Sequence, residues 1–356
     1  MRITALEIHP LHLTLTTALT VAYGSYPVLN YALLKIVTDA GLIGLGEASP
    51  DPEVTGETQT GVLDALRQAA PLLTGADPLQ IDSLLEQCHA RIPAFPAALA
   101  AIDMALYDLA GQALGVPVYQ LLGGLARPSI GLYPVIPLDE PPVMAAMSAK
   151  FAEMGARTLK VKLGSSPDLD LLRLDAIRAA VGDSVHLRLD VNQGWRDAAT
   201  SLTVIRRLDR FSIEWIEQPV LAADLDGLAA VSAATQIPIM ADESCHTAAD
   251  ALKIACRGAA DMLNIKLMKC GGLSEAKKLL AVADAAGLPC ILGSMGESSI
   301  GSAAGLHFVA AHPSIVACEV IGPLFITNDP ASGYQIEMST FQARVSAAPG
   351  LGVTLK

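Results

Sequence analysis

Five charged residues recur at a nearly constant interval. Lys162, Asp190, Glu217, Asp242 and Lys266 stand 28, 27, 25 and 24 residues apart. Each ends, or nearly ends, a short apolar run: Thr158–Leu163, Val185–Val191, Ile213–Glu217, Ile237–Ala241 and Met262–Leu267. Ionised groups are almost never buried without partners, so a charge at the end of every run is hard to explain by packing. The three acids form a hard oxygen set suited to Mg²⁺, which prefers octahedral oxygen ligands and keeps sites for water or substrate. The two lysines flank the acids on either side. A carboxylate substrate bound there would present one lysine to each face of its α-carbon. The α-proton of a carboxylate is very weakly acidic, and a metal must stabilise the enediolate that its removal leaves. Lysine bases beside Mg²⁺ are a known solution to that problem.

Strand alternation adds neighbours on the same face: Lys160 beside Lys162, Asn192 beside Asp190, and Asn264 beside Lys266. Lys160 is expected to lower the pKa of Lys162 by like-charge repulsion and to help hold the substrate carboxylate. Each residue alone has a plainer reading. A lone strand-end Asp is often the N-cap of the next helix. A lone Lys is usually solvated or salt-bridged, and Lys269, past its strand end, is read that way. Five such residues at one regular interval make the plain readings a poor account of the set.

The interval itself identifies the elements. Apolar runs alternating with amphipathic stretches from about residue 127 onward, and continuing through Pro289–Leu292 and Val316–Val320, imply parallel βαβ units. Repetition of one βα unit per charged residue predicts a (β/α) barrel, whose strands deliver their carboxyl ends to one face. An open doubly wound sheet is the alternative, but no Gly-rich phosphate fingerprint follows the first strand. Residues 1–50 read as antiparallel strands around the turn Asp39-Ala40-Gly41. Helical patterns cover about 60–73, 78–91 and 96–114, the last stopped by Gly115 and Pro117.

Composition bounds the partners. Hydrophobic residues make up 52% of the 356 and charged residues 17%, enough for a large core. A net charge of −12 argues against nucleic-acid and membrane-surface partners. Six dispersed cysteines without CxxC spacing read as reduced thiols in a cytoplasmic protein. The amino terminus alternates like a strand rather than a secretion signal, and no run of 18 or more apolar residues predicts a membrane span.

With these residues in view, the chain resembles the enolase superfamily, in its muconate-lactonizing subgroup. The likeness rests on Leu159-Lys160-Val161-Lys162, Arg188-Leu189-Asp190-Val191-Asn192-Gln193-Gly194-Trp195, Ile216-Glu217-Gln218-Pro219, Met240-Ala241-Asp242-Glu243-Ser244 and Asn264-Ile265-Lys266. The resemblance implies a modified (β/α)7β TIM-type barrel over 126–324. It also implies an α+β capping domain over 1–125, to which 325–356 returns. It implies Mg²⁺ on Asp190, Glu217 and Asp242, with Asn192, Asn264 and Glu243 around them, and Lys162 and Lys266 as an acid/base pair. Substrate contacts are expected from Lys160, from Tyr23 and Tyr26 in a cap loop, and from Glu53–Thr58. Further contacts are expected from Ser294, Met295 and Glu297 after strand seven, and from Glu319 and Ile321 after strand eight. A homo-oligomer acting on a small carboxylate is implied.

Within the subgroup the texture is that of dipeptide epimerases, as in Val54-Thr55-Gly56-Glu57-Thr58 and Asn264-Ile265-Lys266-Leu267-Met268-Lys269-Cys270-Gly271-Gly272. Those enzymes usually place an Asp-x-Asp pair after strand eight for the substrate ammonium. Here Glu319-Val320-Ile321 offers only one acid, and Glu-x-x-Gly-Pro is nearer to the cycloisomerases. No Arg or Lys lies between His12 and Leu34 to meet an acidic side chain. The reading is a two-lysine epimerase or racemase of a dipeptide or N-substituted amino acid. The alternatives are a muconate-type cycloisomerase or a carboxylate dehydratase or lyase. A non-catalytic binding barrel is the third reading, which the intact acids and lysines oppose.

Overall fold

The computed structural model describes all residues, 1–356. Its amino-terminal sheet is a long hairpin of β1 (Ile3–Val21) and β2 (Gly24–Thr38), followed by β3 (Ile43–Ala48), in the order β1-β2-β3. The hairpin closes with Val21 opposite Gly24, so Ala22 and Tyr23 form its tip. Three helices cover one face: α1 (Gln59–Leu73), α2 (Ile81–Arg91) and α3 (Pro96–Leu114). These lie within a few residues of the helical patterns in the sequence. Helix α3 is long and apolar enough to cross a membrane by length and composition. It serves instead as a core helix, with most of its residues buried against β3 and the other cap elements. That packing needs Gly44 and Gly46 on β3. A Cβ on Gly46 would stand 1.9 Å from the Ala101 carbonyl oxygen, and one on Gly44 would stand 2.2 Å from that of Ala105.

After a short α4 (Val118–Leu121) and β4 (Ser129–Gly131), the chain enters the barrel. Its units are β5 (Val135–Ile136) with α5 (Pro141–Glu153), β6 (Thr158–Lys162) with α6 (Pro167–Val181), and β7 (His186–Asp190) with α7 (Ala198–Ile205). Next come β8 (Ile213–Glu217) with α8 (Leu225–Ala233) and β9 (Ile239–Ala241) with α9 (Ala248–Arg257). Then β10 (Met262–Ile265) leads to α10 (Leu267–Cys270) and α11 (Leu273–Ala286), and β11 (Cys290–Leu292) to α12 (Ser299–Ala311). Strand β12 (Ile315–Cys318) ends the series. All eight strands pair in parallel in sequence order. A parallel bridge from Leu132 to Cys318 joins the two ends, so the curled sheet closes. This is the barrel that the charge interval predicts, in the (β/α)7β form that the resemblance implies, and the open sheet is excluded.

The last segment returns to the hairpin. Thr16 N–H donates to the Phe325 carbonyl at 2.7 Å, Thr327 N–H to that of Thr14 at 2.9 Å, and Val118 N–H to that of Gly350 at 3.0 Å. Small strands β13 (Ala331–Ser332), β14 (Ile336–Glu337), β15 (Gln342–Arg344) and β16 (Thr354–Leu355) organise it.

Buried carboxylates tie the cap together and join it to the barrel. Asp108 of α3 accepts from the backbone of Leu45 and Leu351 at 2.9 and 2.8 Å. Asp103, one turn earlier, accepts from Leu273 N–H and the Ser274 hydroxyl at the start of α11. Glu47 of β3 accepts from Ser298 and Gly301 at the start of α12. An acid at a helix amino terminus satisfies orphan N–H groups and complements the helix dipole.

The β3–α3 approach yields a stability test. Gly46→Ala forces a methyl group into the Ala101 carbonyl and is expected to cost about 1–3 kcal/mol in thermal unfolding. Gly131→Ala, where nothing lies within 4 Å, serves as the neutral control. Equal melting temperatures for the two variants would refute the close-packing account.

Candidate active site

The charged residues converge at the carboxyl ends of the barrel strands. Register places Lys162, Asp190 and Glu217 side by side, since Lys162 is level with Asp190 and Asp190 with Glu217. Asp242 follows β9 directly, and Lys266 follows β10. Strands β7, β8 and β9, which carry the acids, separate β6 from β10. In a closed ring of eight, β6 and β10 are diametrically opposed. Lys162 and Lys266 therefore reach into one cleft from opposite walls, and both line it together with Asn192.

Each acid is held by ammonium groups. Lys162 Nζ donates to Asp190 at 2.6 Å and to the Asn192 side-chain oxygen at 3.0 Å. Lys266 Nζ donates to Asp242 at 2.6 Å. Lys160 Nζ lies 2.9 Å from Asp190 and donates to Glu217 at 3.0 Å and to both oxygens of Glu319 at 2.9 Å. The Asn264 amide donates to Glu217 at 2.9 Å, and the Asn192 amide donates to Glu243 at 3.0 Å. Asp190, Glu217 and Asp242 are completely buried, and the lysines nearly so. The acids are thus gathered in one chamber, with a lysine at each.

Electrostatics follow from this packing. Burial opposes the Asp190 carboxylate, but Lys160 and Lys162 outweigh it and hold its pKa below the ordinary range. Burial likewise opposes Asp242, which Lys266 and Lys269 hold well below that range. Glu217 goes the other way, raised by burial and then by Asp190. Burial, then Asp242 and Asp190, push Glu243 up to about 7. Desolvation presses on the Lys266 ammonium, yet Asp242 and Glu217 more than offset it and keep its pKa above that of an ordinary lysine.

The chamber suits a divalent cation on two grounds. Oε2 of Glu243 is buried without a hydrogen-bond donor, and Oε2 of Glu217 has only the Lys160 ammonium beside it, at 2.9 Å. Five carboxylates (Asp190, Glu217, Asp242, Glu243, Glu319) also meet four ammonium groups (Lys160, Lys162, Lys266, Lys269), leaving one negative charge when all are ionised. A divalent cation and one substrate carboxylate would bring that total to zero.

Two expectations from the sequence need correction, and a third resolves between its two alternatives. Lys160 is not a free charge beside Lys162 awaiting a substrate carboxylate; three protein carboxylates surround it. Glu297 is not turned to the cleft. It accepts from Ser294 Oγ, Met295 N–H and Ser49 Oγ, and so shapes the loop that presents Ser294 and Met295. Lys269 is salt-bridged but not solvated. It is 2% exposed and donates to both the carboxylate and the carbonyl of Asp242 at 2.5 Å. The short helix α10 turns it back under the strand end.

Sequence reasoning missed Lys269 and also Gln218. Gln218 Oε1 accepts from Asp242 N–H at 3.0 Å and Ser244 N–H at 3.1 Å, fixing the loop that carries Asp242. Gln218 and Asn192 have φ of 38° and 43°, left-handed backbone just past the acids on β8 and β7. Such positions cost on the order of 1–3 kcal/mol and persist where the surroundings over-determine them. The only signal was the strand-end position of the Gln-Pro and Asn-Gln pairs.

Above the chamber the cleft has two lobes that share Leu19, Leu29, Lys162, Ser294 and Met295. One, the more polar of the two, includes Tyr23, Tyr26, Asn30, Asp51 and Thr58. Burial, and then Asp51, raise the pKa of the Tyr23 phenol. The other, of about 720 Å³, is largely apolar and includes Ile321 and Glu319.

Buried acids and lysines at the carboxyl-end mouth of a closed α/β barrel, beneath a cap that walls the cleft, define an enzyme site. The chain belongs to the mandelate racemase and muconate lactonizing enzyme family of the enolase superfamily. Residues 3–123 match the family's amino-terminal domain, and 143–356 match the enolase C-terminal domain-like family. The chain is 37% identical to the N-succinyl-L-Arg/Lys racemase of Bacillus cereus, over 100% of this chain and 96% of that one. It is 38% identical to the hydrophobic dipeptide epimerase of Enterococcus faecalis, over 99% and 100%. A crystal structure of the Enterococcus faecalis dipeptide epimerase with Mg and L-Leu-L-Tyr superimposes with a TM-score of 0.95 at 36% identity, covering 99% and 100% of the two chains. The protein is an isomerase of this superfamily.

Lys269 supplies the test here. Lys269→Met removes one partner of a buried ion pair and is expected to destabilise the fold by about 3–5 kcal/mol. Lys277→Met, at an exposed position of α11, should leave unfolding unchanged. A Lys269 variant as stable as the parent in denaturant titration would show that the pair carries no such weight.

Proposed function

We propose that the protein is a Mg²⁺-dependent epimerase or racemase that inverts the α-carbon of a dipeptide or an N-substituted amino acid. The observation that carries this reading is the opposition of Lys162 and Lys266 across one set of acids. Inversion requires a base on one face of the α-carbon and an acid on the other. One lysine, as the free amine, takes the α-proton. The opposite lysine, as the ammonium, returns a proton to the other face of the planar enediolate. Reversal of the roles converts the other antipode. Asn192 orients Lys162, while Asn264 and Lys160 hold Glu217. Asp190, Glu217 and Asp242 would hold Mg²⁺, with Glu243 adjacent; when bound, the ion supplies charge that stabilises the enediolate and polarises the substrate carboxylate. The relatives' names and the Mg-containing relative support this assignment.

The domain reading belongs here too. Residues 1–125 with 325–356 act as the cap, and 126–324 as the barrel. The hairpin tip at Tyr23 and Tyr26, the Asp51–Thr58 segment and the Ser294–Met295 loop close the cleft over the substrate, which excludes water from the chamber. Tyr23, Tyr26, Ser294, Met295 and Ile321 are its substrate-facing residues. The working form is a homo-oligomer.

Incubation of dipeptides and N-acyl amino acids with enzyme and Mg²⁺ in D₂O, followed by NMR, should show α-deuterium incorporation with inversion. Chelation of the metal should stop it and added Mg²⁺ restore it. Lys162→Ala and Lys266→Ala should each lower inversion by roughly 10²–10⁴-fold. Lactone or alkene formation without exchange would favour the cycloisomerase or lyase readings instead. Parent-rate inversion by either lysine variant would eliminate the two-base mechanism.

A further inference from the structure

The hairpin tip that carries Tyr23 has few ties to the barrel. Thr14 of β1 pairs with Val28 of β2, yet the next pair is Leu19 with Tyr26, so β1 carries extra residues between them. Such a bulge bends the strand and separates the tip from the hairpin body. Between residues 17 and 26 a single hydrogen bond leaves the hairpin, where the Thr20 carbonyl accepts from Leu138 N–H at 2.8 Å. The second support is a close approach. A Cβ built on Gly164 would stand 3.2 Å from that of Ala22, 2.4 Å from the Val191 carbonyl oxygen and 3.0 Å from Gly194 Cα. Gly164 also has a φ of 102°, so only glycine fits beneath the tip.

Both supports are held by one buried ion pair in α6. Asp170 is fully buried and Arg173 is 4% exposed. Oδ2 of Asp170 accepts from Gly164 N–H and from the Trp195 indole N–H, each at 2.9 Å. Its Oδ1 accepts from Arg173 Nη1 at 2.9 Å. Arg173 Nε donates to the carbonyl of Asp139, the residue after Leu138, at 2.7 Å. Its Nη1 also donates to the hydroxyl of Ser165, the residue after Gly164, at 2.5 Å.

An acid in the first turn of a helix ordinarily serves that helix's own N–H groups. Asp170 instead gives Oδ2 to the loops after β6 and β7, and the rigid fork of Arg173 joins the loops after β5 and β6. A buried ion pair is a weak source of stability. Neither residue lines either lobe of the cleft. What the pair joins is the two points on which the tip stands.

We infer that Asp170 and Arg173 are positioning residues that build a seat for the hairpin tip, so that closure over the substrate depends on an ion pair outside the cleft. The step from seat to closure rests on the reading of the tip given under the proposed function.

Hydrogen–deuterium exchange of the full chain, read by mass spectrometry, tests the seat without any substrate. Local opening of the tip speeds exchange there and leaves the rest of the cap protected. In Arg173→Met, exchange over residues 17–27 is expected to rise at least tenfold, with residues 28–38 and 96–114 unchanged. Arg173→Lys keeps a charge for Asp170 but loses the fork, and should give at least a threefold rise in the same segment. Should Arg173→Met fail to fold, Arg173→Lys decides. Parent-like exchange at the tip in a folded variant overturns the inference. So does an equal rise across all three segments, which a merely structural role would produce. Turnover gives the second readout, with a dipeptide or N-acyl amino acid that the parent inverts. Arg173→Lys should raise KM at least fivefold and leave kcat within twofold, whereas a fall in kcat at constant KM overturns the inference. If the parent inverts none of these compounds, the epimerase reading fails, and the exchange result still decides the seat.

Discussion

Everything at the mouth of the barrel depends on charge compensation in a place without water. Five carboxylates and four ammonium groups lie within the strand ends, almost all of them inaccessible. Isolated, any one of them would be expelled or neutralised. Together they are bearable because each ammonium, and every carboxylate oxygen but Oε2 of Glu243, has a specified partner, which ties their positions to the barrel's register. The register, in turn, is set by hydrophobic layers beneath. Tyr133, Trp215, Met240, Met262 and Ile291 form one such layer, and the Arg188 guanidinium stacks 3.9 Å from the Trp215 ring centroid and 4.2 Å from that of Tyr133. A buried ion network of this kind is a weak source of stability. Its retention points to function, because packed hydrophobic residues would hold the strands as well.

The second constraint is the join between cap and barrel. Asp103, Asp108 and Glu47 reach from the cap sheet and its core helix to backbone N–H groups of the barrel and the returning tail. These contacts lie away from the hairpin tip. The body of the cap is thereby fixed to α11 and α12, and near the hairpin tip Leu138 N–H donates to the Thr20 carbonyl at 2.8 Å. Specificity surfaces carried on a rigid base can change without disturbing the chemistry below.

The chemical set and the barrel were legible because both have a period. One charge per βα unit is a signal that neither packing nor capping produces across five units, and parallel topology then brings the ends together. The cap helices were legible from apolar spacing and from the Gly115–Pro117 stop. What escaped the sequence had no period. Lys269 stands four residues past the end of β10 and reads as solvated or salt-bridged until a single helical turn, Leu267–Cys270, folds it beneath Asp242. Gln218 acts through both ends of its side-chain amide, which no spacing reveals. Glu319 and Glu297 stood where a substrate contact was expected, and only coordinates show that their oxygens are occupied by Lys160, Tyr133, Ser294 and Met295.

Glu319 shows how a position can keep its residue type while its task is internal. A carboxylate near a substrate is available only if its lone pairs are unspent, and here Lys160 spends them. Lys160 also pairs with Asp190 and Glu217, so Glu319 is one of three acids around a single buried ammonium. The neighbouring Ile321 has no such duty. It lines the apolar lobe and carries no charge. Two positions at the end of one strand thus have different surroundings: Glu319 belongs to the charge network, and Ile321 to the apolar wall of the cleft.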